Sequence, residues 1–210
     1  MPQSQSDRDE NERMIRSQIE ARGISNPRVL DAFRSVPRQE FVPPQHRASA
    51  FDDTPLPLEH NQTISQPYIV ALMTELLKLK GHERVLEIGV GSGYQTAILA
   101  RLVRHVYGAE LQPELSRTAA ERLARLGFDN VTIRTGSGLD AFSSEAPFDA
   151  ILAAAAPARF PEALLDQLAE GGRCVMPVGE QENQTLWLIE KKGGKVVRTE
   201  VAAVRFVPLR

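Results

Sequence analysis

Val85-Leu-Glu-Ile-Gly-Val-Gly-Ser-Gly-Tyr94 is the stretch on which the fold turns. Arg84 to Ile88 is a short apolar run, as a buried strand requires. Gly89, Gly91 and Gly93 follow; they allow tight backbone turning and close approach of a ligand. A helical pattern through Thr96, Leu99 and Leu102 comes next. A strand, a glycine turn and a helix in that order mark the place where a doubly wound sheet binds a nucleotide.

The residues also say which nucleotide. A dinucleotide fingerprint needs a third glycine five residues after the first; 89 + 5 = 94, and position 94 is Tyr94. Glu87 precedes the glycines at the strand end. A carboxylate there repels a pyrophosphate and attracts a cation, by roughly 4 kcal/mol at ~4 Å with an effective dielectric near 20. S-adenosylmethionine carries a sulfonium and an ammonium and no phosphate, so the turn suits it better than NAD. The next acidic strand end is Glu110, and 110 − 87 = 23 residues separate the two. A carboxylate about 20 residues beyond the turn is placed to accept from ribose hydroxyls.

Outward from this turn the chain alternates. Strands are expected at His105–Glu110, Val131–Arg134, Phe148–Ala154 and Cys174–Val178, with helices at Pro113–Leu126 and Phe160–Leu168. That alternation predicts an α/β fold with a mostly parallel, Rossmann-like sheet and helices on both faces. Thr185–Glu190 and Lys195–Glu200 flank Gly193-Gly194, a hairpin signal, so the C-terminal part is antiparallel. Val204–Leu209 is one more strand candidate, which Pro208 confines to an edge or an end. Towards the N-terminus, residues 1–8 read as a frayed tail. Helices follow at Asp9–Arg22, ended by Gly23, and from Asn26-Pro27 to Val36, stopped by Pro37. Phe41–Gln62 is proline-rich and reads as an irregular loop, and Ser65–Leu79 returns to helix. The expected organisation is a helical extension with a loop over residues 1–80 and the nucleotide-binding part over 81–210, in one compact unit.

The 210 residues are 42% hydrophobic and 25% charged, ordinary globular usage that excludes wholesale disorder. The net charge of −2 gives no electrostatic footprint of a nucleic-acid binder. Cys174 is the single cysteine, so no intramolecular disulfide or multi-cysteine metal site can form. No apolar run approaches the ~20 residues that span a bilayer, and the polar start MPQSQSDRDENER does not resemble a secretory signal. A monomeric cytoplasmic protein is expected, with no nucleic acid, membrane or metal as partner.

Val85–Ala97 resembles the first motif of class I S-adenosylmethionine-dependent methyltransferases. Gln62-Thr-Ile-Ser-Gln-Pro-Tyr-Ile-Val-Ala71 is similar to the signature of the protein-L-isoaspartate O-methyltransferase family, a far more specific segment. Gly171-Gly-Arg-Cys-Val-Met-Pro-Val-Gly179 and the closing Val204-Arg-Phe-Val-Pro-Leu209 agree with it, so the likeness runs from about Met14 onward. The resemblance implies a repair enzyme that transfers methyl from S-adenosyl-L-methionine to the free α-carboxylate of L-isoaspartyl residues in damaged proteins and peptides, leaving S-adenosyl-L-homocysteine. Carried over, Gln62, Thr63, Ile64 and Ser65 line the site between cofactor and substrate, with Ser65 at the active-site position and Thr63 and Ser65 on the substrate. Glu87 holds the amino-acid end of the cofactor, beside the turn of Gly89, Gly91 and Gly93. Glu110 and Leu111 take the ribose and adenine, Ser137 and Gly138 lie along the adenine, and Val207 and Pro208 flank the peptide.

Three positions depart from the family pattern. Ser137 stands where an aspartate is usual, which implies a weaker adenine contact. Glu59 and Asn61 stand where two glycines are common, which implies a differently shaped loop. The chain also stops at Arg210, where many relatives continue. Transfer to another small-molecule or RNA acceptor, and an inactive cofactor-binding module, are the alternative readings.

The chemistry implied asks for little machinery. A carboxylate with a pKa near ~4 is ionised at pH 7, so no general base is needed. His46, His60, His82 and His105 accordingly read as surface or loop residues, and His60 alone lies in the substrate-side loop. Ser65 is then a positioning donor, or the N-cap of the helix that Gln66-Pro67 opens. Cys174 and Trp187 read as packing residues, and the Arg117–Arg125 segment as a solvated face interleaved with glutamates.

Overall fold

The computed structural model describes residues 4–180 and 183–209. Helix α1 spans Gln5–Met14 and continues through a π-helical turn to Ile19 and a 3-10 turn to Arg22. It starts four residues earlier than the hydrophobic period suggests, because Ser4 and Asp7 form a capping box: the Asp7 amide donates to Ser4 Oγ at 3.1 Å and the Ser4 amide to Asp7 Oδ2 at 3.3 Å. Gly23 ends the run in the left-handed conformation (φ 92°). Asn26 caps α2 (Pro27–Ser35), its side chain accepting from the Arg28 amide at 3.0 Å.

The proline-rich stretch consists of short 3-10 turns and one two-residue strand, β1 (Leu56–Pro57), which pairs antiparallel with β2 (Thr63–Ile64). Helix α3 (Pro67–Leu76) follows. Its cap position is Gln66, which makes no side-chain cap bond, so Ser65 lies outside the helix and is not its N-cap.

Then come β3 (Arg84–Ile88), α4 (Tyr94–Ala100), β4 (His105–Glu110), α5 (Pro113–Arg125), β5 (Val131–Thr135), β6 (Phe148–Ala153), α6 (Leu164–Gln167), β7 (Leu168–Glu180), β8 (Asn183–Lys192) and β9 (Lys195–Val204). They form one seven-stranded sheet in the order β5-β4-β3-β6-β7-β8-β9. The first five strands along this order are parallel, and β8 and β9 are antiparallel additions. The expected helix at Phe160–Leu168 shrinks to the single turn of α6. At its end Leu168 already pairs with Phe148 as the first residue of β7, and at its start the chain makes i to i+3 turns, the Leu164 amide donating to the Pro161 carbonyl oxygen at 3.0 Å and the Leu165 amide to that of Glu162 at 2.9 Å. The expected strand at Val204–Leu209 yields only its first residue to β9; Pro208 makes one isolated bridge to Ala156.

Strand residues alternate between two buried layers. Val85, Ala150, Leu152, Val175, Leu186 and Leu188 face one core. Leu86, Ile88, Ile151, Ala153, Cys174, Met176 and Ile189 face the other, and Trp187 packs against it. The first core is shared with the N-terminal helices through Met14, Ile15, Ile19, Phe33 and Phe41. Burying an aromatic or branched side chain of this kind contributes about 1.5–3 kcal/mol. Directional bonds fix the seam. Arg28 donates to the carbonyl oxygens of Leu79 and Leu102, each at 2.8 Å, which follow the ends of α3 and α4. Glu75 accepts the amides of Ser25 (3.0 Å) and Asn26 (2.8 Å).

Candidate active site

Four parallel strands end on one cleft. The segment Gly89–Ser92 after β3, Ala109–Gln112 at the end of β4, Gly136 and Gly138 after β5, and Ala154–Ala155 after β6 form the floor. Gln62–Ser65 and Phe206–Leu209 form the upper walls. The topology puts the cleft at the carboxyl ends of the strands, beside the point where the order reverses from β3 to β6.

The glycine turn works as its composition suggests. Gly89, Gly91 and Gly93 all have positive φ (87°, 54° and 86°), a conformation that side chains rarely adopt. Gly89 and Gly91 line the cleft; Gly93 lies behind it as the left-handed start of α4. Glu110, only 6% exposed, accepts the Gly91 amide at 2.8 Å and the Gln112 amide at 2.9 Å. Each of its oxygens keeps a further lone pair for a donor in the cleft. Leu111, next in line, is an exposed apolar residue on the wall (43%), a natural face for a flat ring.

Glu87 is placed differently from the other candidate residues. It is fully buried (0%) and lies beneath the turn instead of on the wall. Neither carboxylate oxygen has a partner at hydrogen-bond distance. Burial pushes its pKa up to about 8; the nearby Thr96 hydroxyl acts in the opposite sense, and the charge of Glu110 raises it further. An orphaned buried carboxyl beside a ligand cleft fits a cationic ligand and conflicts with a pyrophosphate. S-adenosylmethionine therefore passes this test on the chain's own residues, and Glu87 would serve it by charge from below.

Gln62, Thr63, Ile64, Ser65, Leu111, Gly138, Val207 and Pro208 all stand on the cleft wall. Ser137 does not; its hydroxyl accepts the Leu139 amide at 3.2 Å, inside its own turn. Gly138 has no alternative, since a Cβ there would stand 2.2 Å from Ile88 Cγ2. In the turn before β2, the left-handed residue is His60 (φ 56°), between Glu59 and Asn61. Its ring bonds Glu114 Oε2 at 3.0 Å and ties the loop to the start of α5.

A second groove adjoins the first. Thr63, Ser65, Ala154, Phe206 and Val207 line both, and the groove continues along Pro55, Gln66, Ile69 and Ala203–Arg205. The closing segment is held by bonds that have no sequence motif. Ala156 donates to the Val207 carbonyl oxygen and accepts from the Leu209 amide, both at 2.9 Å. The buried Gln184 side chain accepts the Phe206 amide at 2.6 Å and donates to the Phe206 carbonyl oxygen at 3.1 Å. The arginine-rich helix also does more than face solvent: Arg122, partly buried, donates to the Ser92 carbonyl oxygen at 2.7 Å and so braces the glycine turn.

Comparison with known proteins agrees with this geometry. The family model for protein-L-isoaspartate(D-aspartate) O-methyltransferase matches residues 9–210. A protein-L-isoaspartate O-methyltransferase 1 of Syntrophobacter fumaroxidans is 49% identical over 198 residues, covering 94% of this chain and 92% of its own. A protein-L-isoaspartate O-methyltransferase of Vibrio cholerae is 52% identical over 187 residues, 89% of each chain. Among solved structures, a Plasmodium falciparum chain named a protein-L-isoaspartate O-methyltransferase, in complex with S-adenosyl-L-homocysteine, superposes with a TM-score of 0.82 at 28% identity over 97% of both chains.

Proposed function

The chain belongs to the protein-L-isoaspartate(D-aspartate) O-methyltransferase family, and from that premise we propose how its site works. It is an S-adenosylmethionine-dependent protein carboxyl methyltransferase that acts on isoaspartyl residues of damaged proteins. One observation carries the assignment of roles: Thr63 and Ser65 are the hydroxyl-bearing residues among the five that line both the cleft and the adjoining groove. A methyl group passing from one to the other crosses at these residues.

When bound, S-adenosylmethionine supplies a methyl group activated by its sulfonium charge. Gly89–Gly91, Glu110 and Leu111 receive the cofactor, Glu110 through the lone pairs that its backbone bonds leave free. Glu87 sets a negative charge beneath it. The groove along Ala203–Val207 receives the peptide, and the Ser65 hydroxyl donates to its carboxylate and aims it. The acceptor is already ionised at pH 7, so the chain has no proton to remove. Anion and cation become neutral ester and thioether, and walls of Ile64, Phe206 and Val207 that exclude water favour that loss of charge.

We extend the reading to a monomer working in the cytoplasm, with no nucleic acid or membrane as partner. The near-zero net charge and the buried lone Cys174 support this. Among the described residues no helix is long and apolar enough to cross a membrane.

The deciding experiment is transfer of a labelled methyl group to matched peptides bearing isoaspartate or normal aspartate. Base-labile label in the first alone is expected. Equal labelling of both, or transfer only to a small molecule or RNA, would overturn the reading.

A further inference from the structure

Arg38 is a charged residue in an unusual place. It is 0% exposed and ranks among the largest fully buried side chains. Its Nε donates to the Ala50 carbonyl oxygen at 2.8 Å and its Nη2 to the Ser65 carbonyl oxygen at 2.9 Å. Nη1 has no partner at hydrogen-bond distance. The guanidinium centre lies 4.7 Å from the ring centroid of the buried Tyr94, whose hydroxyl likewise has no partner at hydrogen-bond distance. No ion pair neutralises Arg38 among the described residues.

A buried guanidinium without a carboxylate is expensive, and a well-packed apolar residue of similar volume would often serve stability better. A charge buried at this spot calls for a role. The carboxyl groups of Glu87 and Glu110 lie by the glycine turn, whereas Arg38 lies behind Ser65, a residue common to the cleft and the groove. We propose that Arg38 is a positioning residue for methyl transfer. It fixes Ser65 through its backbone and sets one uncompensated positive charge behind the place where an anionic acceptor binds. This rests on the reading that Ser65 faces the isoaspartyl carboxylate.

The clamp is geometric. Ser65 falls between the two-residue strand β2 and the start of α3, with neither ladder to hold it. Arg38 supplies the missing bond from the opposite side, and a planar fork reaches both carbonyl oxygens at once. Lysine would keep the charge and reach only one of them. The two contributions therefore separate by substitution: loss of the clamp misplaces Ser65 and lowers kcat, and loss of the charge weakens the anionic acceptor and raises KM.

The test uses the full chain with Arg38→Lys, Arg38→Met, Ser65→Ala and the double variant Arg38→Lys/Ser65→Ala. Methyl transfer to an isoaspartyl peptide gives kcat and KM, and calorimetric titration with S-adenosylhomocysteine gives cofactor-site affinity. Both Arg38 variants are expected to lose about 10- to 100-fold in kcat, with S-adenosylhomocysteine affinity within twofold of the parent. Arg38→Met alone also raises KM for the peptide. Ser65→Ala lowers kcat in the parent and adds little in the Arg38→Lys background. Unchanged kcat in folded Arg38 variants, or additive losses in the double variant, would overturn the proposal. Failure of both Arg38 variants to fold would also overturn it, assigning the residue to the core alone. Absence of isoaspartyl methylation by the parent chain is a separate result, and it defeats the underlying reading instead.

Discussion

Gly91 donates its amide to the Glu110 carboxylate at 2.8 Å, across the ends of β3 and β4. The glycine turn and the next strand end are thus one rigid unit before any ligand arrives. Glu110→Gln keeps the size but leaves one acceptor where two amides, of Gly91 and Gln112, now point. One buried amide then faces a donor. A hydrogen bond to a charged group is worth about 1.5–3 kcal/mol, so S-adenosylhomocysteine affinity is expected to fall about 10- to 100-fold. Titration calorimetry checks this, and an unchanged Kd would contradict the role given to Glu110.

Glu87 makes the unliganded protein sensitive to pH. Its folded pKa of about 8 lies above the ordinary 4.5 because of burial first, with Glu110 adding to it and Thr96 opposing. The folded state therefore holds a proton that the unfolded chain releases. That contribution is fully present below about pH 4.5, declines as pH rises, and is gone above about pH 8. Glu87→Gln has no charge to bury. Its melting temperature relative to the parent is expected to improve steadily from pH 5 to pH 9, by roughly 2–4 °C for each kcal/mol of the parent's loss. Parallel melting curves across that range would refute the prediction.

The same proton couples to binding. With a pKa of about 8, about nine in ten molecules carry it at pH 7. A ligand ammonium above the turn favours the ionised carboxyl, so binding expels the proton. Titration with S-adenosylhomocysteine in two buffers of different ionisation enthalpy should reveal release of a substantial fraction of one proton at pH 7. The release should vanish in Glu87→Gln, along with much of the affinity. Zero release by the parent protein would remove Glu87 from the binding machinery.

Gly138 tests the shape of the cleft. A methyl group there would meet Ile88 Cγ2 at 2.2 Å and Ile88 Cγ1 at 2.9 Å. Ile88 is branched at Cβ and buried in a central strand, so it has little freedom to turn away. Gly138→Ala is expected to destabilise the fold by about 1–3 kcal/mol and to weaken S-adenosylhomocysteine binding. Chemical denaturation and calorimetry measure the two effects, and a variant indistinguishable from its parent in both would show that the wall can yield.

The central turn was legible because its chemistry is local: only glycines suit the positive φ values, and the apolar run of β3 names its own environment. The segment Gln62–Ser65, which lines the cleft, was marked in the sequence by its resemblance. What escaped was set by depth and by distant partners. Glu87 reads as a strand-end carboxylate, yet it lies under the turn, since strand alternation sends it to the face opposite Leu86 and Ile88. Ser137 reads as a wall residue and instead satisfies its own backbone. Arg38 and Gln184 carry no motif; a polar residue in a loop or strand looks solvated until the fold closes over it. Helix α6 is shorter than its pattern because Leu168 pairs with β6 and the chain before Leu164 closes in i to i+3 turns instead. The early start of α1 was missed for a smaller reason, an aspartate in the capping box where glutamate or glutamine is usual.

The seam between the N-terminal helices and the sheet limits what recombination could do with this protein. Phe33 and Phe41 press on Tyr94 with ring centroids 6.0 and 5.5 Å away, and Arg28 stitches the far ends of two helices across the same boundary. Grafting the acceptor-facing front of another methyltransferase onto residues 81–210 would strip that interior and leave a wide greasy surface bare. Any such exchange must therefore carry its own half of the packing with it, whereas single residues along the groove can change without laying that interior open.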